Sequence, residues 1–173
     1  MRKTLAAVIL VVLLITIFTV PTVAASAKRV AVSATQSGAI GLGPSGTFWW
    51  TNGDRLHLRD WTGSAVLTLS IPGKDTLTGS SSSIDIGVVN SAKGESVILL
   101  KTVWDFGSAG KFIGTMHFRA TGASFASPTG NYLVDANAEL KGTGTFDGQT
   151  LILSYQGSKP PIMWEGFLIE RVR

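Results

Sequence analysis

Few side chains in this sequence are of the kinds that do chemistry. It has no cysteine, which excludes a disulfide framework, a thiolate metal centre, a haem-attachment motif and a cysteine nucleophile. Its two histidines, His57 and His117, stand beside arginines (Arg55, Arg59 and Arg119) in alternating segments. Protein metal sites ordinarily draw on three or more ligands at set spacing. Neither His-x-His nor His-x-x-x-His occurs, so both read as exposed strand histidines, and no metal or other cofactor is assigned. The Gly-x-Ser-x-Gly elbow, the phosphate-binding Gly-Lys-Ser/Thr loop and a dinucleotide fingerprint are all missing, so no catalytic residue is assigned from motifs.

Among carboxylates, Asp135 and Glu139 share one strand face, but four residues of strand put them about 13 Å apart. Glycosidase acid pairs sit roughly 5–9.5 Å apart. Asp135, Asn137 and Glu139 are likewise too widely spread along a straight strand for one calcium ion. They read as solvated charges. Trp49 and Trp50 are the surface-contact candidates: they adjoin the Thr51-Asn52-Gly53-Asp54 turn, and neighbouring strand residues face opposite ways, so one of the two is expected at the surface. There it would offer a stacking plane to a sugar or lipid. Trp104, Met116 and Phe118 are the candidates for lining an internal cavity.

These residues must be positioned by strands. No window repeats apolar residues at helical spacing, whereas period-2 segments recur between turn signals. We expect strands at Arg29–Ala34, Arg55–Trp61, Ser64–Ile71, Ile84–Val89, Val97–Trp104, Lys111–Thr121, Tyr132–Lys141, Thr150–Gln156 and Trp164–Glu170. Ser37–Gly46 reads as a glycine-rich loop, Ser80–Ser83 as a loop or frayed strand entry, and Lys159-Pro160-Pro161 as a break. Short connections imply antiparallel pairing. The fold class is therefore all-β, a single antiparallel β-barrel of about eight strands, preceded by an N-terminal hydrophobic signal helix. Gly110-Lys-Phe112-Ile-Gly114 is echoed by Gly144-Thr-Phe146-Asp-Gly148. Each reads as a tight turn whose phenylalanine plugs the space beneath it. The charges that can be placed fall on the solvent-facing parity of their strands.

Met1-Arg2-Lys3 is a positive start, and residues 4–27 are uncharged. Pro21 then precedes small residues, with two small-x-small exits at Val23-Ala24-Ala25 and Ala25-Ser26-Ala27. That is the layout of a signal peptide, with cleavage expected after Ala27. The alternative is an uncleaved anchor, since about 20 apolar residues span a bilayer. The domain division is 1–27 for signal or anchor and 28–173 for the barrel. Localisation is secreted or cell envelope, with the membrane touched only through residues 4–27 if they are retained. The sequence has 173 residues, 45% hydrophobic and 15% charged, with a formal net charge of +4. Half of that surplus leaves with Arg2 and Lys3. No clustered basic face remains, so nucleic acid is not an expected partner. Export without disulfides suits a prokaryotic envelope or secreted protein.

Lys141-Gly-Thr-Gly-Thr-Phe146-Asp-Gly148-Gln-Thr-Leu-Ile-Leu-Ser-Tyr155 resembles the glycine-rich turn and strand of the allene oxide cyclase/dirigent-type β-barrels, and Gly107–Gly114 is a second, looser copy. The resemblance covers residues 107–157 and implies an eight-stranded antiparallel barrel with a central cavity. It maps no catalytic carboxylate onto a numbered position of this sequence. The expected function is binding of a small apolar ligand or service as an envelope scaffold, not catalysis. The alternative is a cyclase or isomerase acting on a hydrophobic substrate inside the barrel. A third reading is a surface interaction module built on Trp49, Trp50 and the glycine loop.

Overall fold

The computed structural model describes residues 27–37, 46–122, 133–158 and 161–171. The expected signal segment up to Ser26, most of the glycine-rich loop and the Lys159-Pro160 break lie outside the described residues. Nine strands follow one another: β1 (Ala27–Ser37), β2 (Thr47–Thr51), β3 (Arg55–Ser70), β4 (Leu77–Asn90), β5 (Glu95–Asp105), β6 (Lys111–Thr121), β7 (Leu133–Gly142), β8 (Thr150–Gly157) and β9 (Ile162–Arg171). Every pairing is antiparallel. The sheet runs β1-β9-β8-β7-β6-β5-β4-β3-β2, and β1 also pairs with β3. That last contact, from Ser33↔Ser70 to Ser37↔Val66, closes an eight-stranded barrel. β2 is left outside it, paired only with Arg55–Arg59 at the start of β3.

Two expectations about strands are corrected. Arg55–Trp61 and Ser64–Ile71 belong to one strand, β3. Its pairing passes from Leu58↔Gly87 to Trp61↔Asp85, so three steps on β3 match two on β4. This is a bulge, with Asp60 in the left-handed region at φ 54°. The extra residue switches the inward parity, which is why Leu56 and Leu58 precede Ala65, Leu67 and Leu69 on the same face. The serine run Ser80–Ser83 is not a loop; it lies in full ladder pairing within β4, against Thr102–Asp105. β2 itself was not expected as a strand.

One end of the barrel is plugged. Phe112 stacks on Phe146 with ring centroids 4.6 Å apart, and Phe106 meets both edge-on at 6.4 and 6.2 Å. All three are buried. The two glycine units converge here but are not equivalent. Phe112 is a residue of β6, whereas Phe146 closes a short 3-10 turn, Gly144–Phe146. Thr143 N–H donates to the Lys111 carbonyl at 2.8 Å, and the Thr145 hydroxyl donates to the Ala109 carbonyl. Gly110, at φ 115°, leaves no room for a side chain, because a Cβ there would collide with the Thr143 carbonyl. Above the plug, Trp104 meets Trp164 edge-on at 6.2 Å, and Tyr155 lies 6.0 Å from Trp164.

The turn Gly107–Ala109 is clipped from outside. Asp105 accepts from the Gly107 N–H at 2.9 Å and pairs with Lys111 Nζ at 2.7 Å. The Lys111 ammonium first, and then the Gly107 amide, hold the Asp105 carboxyl below its ordinary value. Lys111→Met should therefore move the Asp105 carboxyl back up toward the usual carboxylate range, as read by an NMR pH titration. An unchanged titration would show that the amide alone sets it.

Candidate functional site

Inside the barrel, Met116 and Phe118 border an enclosed cavity together with Gln36, Gly63, Ser81, Ser83, Leu100 and Thr102. Its volume is about 10 Å³, close to what one water centre needs. Trp104 does not share this space. It lies on the same inward face of β5 but deeper, fully buried against Trp164. The three cavity candidates are thus all interior, but only Met116 and Phe118 meet at one void, and that void is small.

The lining is more polar than its apolar surroundings. Trp164 Nε1 donates to Gln36 Oε1 at 3.2 Å, and Gln36 Nε2 donates to Ser81 Oγ at 3.3 Å. The Thr102 hydroxyl donates to the Ser82 carbonyl at 3.1 Å. Asp85 is only 7% exposed, contrary to the expectation that placeable charges face solvent. It is the single buried carboxylate among the described residues. Burial pushes its carboxyl above the ordinary value, opposed by a smaller hydrogen bond from Ser83. Among the described residues its Oδ1 has no partner, and neither has the indole nitrogen of Trp61, the residue paired with it across β3 and β4. The sequence Ile84-Asp85-Ile86-Gly87-Val88 concealed this, because apolar residues alternating with a charge suggest that the charge faces out. Here the aliphatic parity faces out and the small polar parity (Ser81, Ser83, Asp85, Gly87) faces in. That inward run of small side chains was the available signal.

The outer surface holds the second candidate. Trp49 and Trp50 are 45% and 54% exposed, and Phe48 beside them is exposed too. The expectation that only one tryptophan reaches the surface fails because β2 stands outside the closed barrel. Trp49 stacks on His57 at 5.1 Å with planes 6° apart, and His57 Nε2 lies 2.8 Å from the Thr51 hydroxyl. The row continues across the wall, since His57 pairs with Val88 and Val88 with Val97. Ile86↔Leu99 forms the next row, and Ile84 follows along β4. All five aliphatic side chains are exposed.

The sequence matches no protein-family model, no curated protein and no solved structure. Function must therefore be read from the geometry. The wall formed by β4 and β5 contrasts with β7, where Leu133 at the start of the strand is followed on the outward face by Asp135, Asn137, Glu139 and Lys141, all exposed. His117 is exposed on β6 opposite Leu99. The β4–β5 wall also borders a surface groove of about 530 Å³, in which Ile84, Val103 and Ile113 surround Lys101. This outer concavity is far larger than the interior void.

Proposed function

We propose that the protein is an exported β-barrel of the cell envelope or the secreted fraction that acts by binding and scaffolding through its outer wall. The observation that carries this is the exposed aliphatic and aromatic face of β2, β4 and β5, set on a barrel whose interior is filled. Contiguous apolar surface of this kind marks interaction sites on soluble proteins. Export rests on the charge and apolar pattern of residues 1–27. An apolar ligand would then be held on the wall, since the interior void has room for about one water.

A second reading, catalysis inside the barrel on a hydrophobic substrate, is favoured by one observation, the buried Asp85 carboxyl with its unpartnered oxygen. General acid–base chemistry needs titratable groups within reach of the substrate, whereas the polar side chains that line the cavity are hydroxyls and one amide, and Asp85 is not among them. An environment-sensitive apolar dye separates the two readings. Dye binding should be lost in Ile86→Glu with Leu99→Glu and kept in Phe118→Leu. The reverse pattern would move the site inside.

A further inference from the structure

Resting on the outer-wall reading, we infer that the β4–β5 wall, with Trp49 at its edge, docks on the surface of a bilayer that contains anionic lipid. Charge complementarity selects this occupant. Lys101 is the cross-strand partner of Ile84, and Arg119 that of Val97. Arg55 shares the outward face of β3 with His57. Both Lys101 and Arg119 are exposed, and among the described residues neither takes part in an ion pair. Of the nearby carboxylates, Asp60 is engaged with Arg59 at 3.7 Å, leaving Glu95 and, across from Arg119 on β7, Asp135; Lys101 faces Ile84 and Thr115, with no carboxylate directly opposite it. The wall is therefore apolar with cations at its border. A second copy placed wall to wall would bring those cations together, whereas phosphate headgroups would receive them.

The side-chain types agree with the headgroup region. Tryptophan has an apolar body and a polar N–H and collects at membrane interfaces. The apolar groove with Lys101 in it is suited to an acyl segment beside a phosphate. Docking here means lying on the membrane. A spanning barrel has an apolar band all round and a polar interior, while this barrel has charges along β7 and an apolar interior. The result is one-sided attachment, combining apolar burial with attraction to anionic lipid.

The test uses the protein as an exporting host releases it, with wild type and variants sharing one N-terminus. Flotation is measured with phosphatidylcholine vesicles, with and without phosphatidylglycerol. Wild type should float with the anionic vesicles, less so as salt is raised. Lys101→Ala should lower the partition coefficient about fivefold. Val97→Glu with Leu99→Glu should abolish flotation, while Ile152→Glu on the β8 wall should leave it unchanged. Equal thermal melting of the variants, all at exposed positions, establishes that the fold is kept. Flotation that survives Val97→Glu with Leu99→Glu overturns the proposal, as does a wild type that ignores anionic vesicles. In that last case, wall-dependent self-association or dye binding would keep the outer-wall reading and remove the lipid. No effect of the wall variants on any of the three would remove both.

Discussion

Phe146→Ala is expected to destabilise the barrel by about 3–5 kcal/mol, the usual cost of truncating a buried phenylalanine. That is a large share of the roughly 5–15 kcal/mol that holds a typical domain folded. For a chain of this length each kcal/mol moves the midpoint by about 2–4 °C, so a loss on the order of 10 °C is expected. The ring is the hub of the plug, stacked on Phe112 and edge-on to Phe106. Its turn also ties β7 and β8 to the start of β6 through Thr143 and to the turn before it through Thr145. Removing the ring opens a void that the constrained glycine turn cannot collapse to fill. Thermal melting of the purified variant measures the effect. An unchanged midpoint would mean that the plug carries no stability.

β6 was legible to the residue, because Phe112, Met116 and Phe118 alternate with Thr115, His117 and Arg119 between two glycine-marked turns. The other strands of the second half were legible to within about two residues for the same reason. What escaped has a common cause. Alternation shows that a strand has two faces, but only composition suggests which one is inside. In β4 the composition misleads, since Ile84, Ile86 and Val88 face out while Asp85 faces in. β3 looked like two strands because a bulge resets its parity between Leu58 and Trp61. The closure of β1 on β3 and the placing of β2 outside it are long-range choices that no local pattern encodes. The candidate site suffered most. One of Trp49 and Trp50 was legible as a surface residue, but not both, and the wall that gives Trp49 neighbours is made of strands whose outer faces the sequence did not identify.

Asp85→Asn should reveal the cost of burying that carboxyl through pH. Asp85 has an ordinary carboxyl value of 3.8 in the unfolded chain and a raised one in the barrel, because burial disfavours its charge. The folded state therefore holds the proton to higher pH than the unfolded state does. The contribution to stability is fully present below the unfolded value and is lost as pH rises through the folded one. Asparagine has no such proton. The stability of the variant relative to wild type should rise with pH from about 3.8 upward and level off once Asp85 is ionised in the fold. Other carboxylates, Asp105 with its opposite shift among them, titrate in both proteins and cancel in the difference. Urea unfolding of both proteins across the acid range supplies the measurement. A difference that does not vary with pH would mean that Asp85 ionises as readily in the fold as in water. Its unpartnered oxygen would then have to be solvated in the folded state, so that water would reach Asp85 inside the barrel.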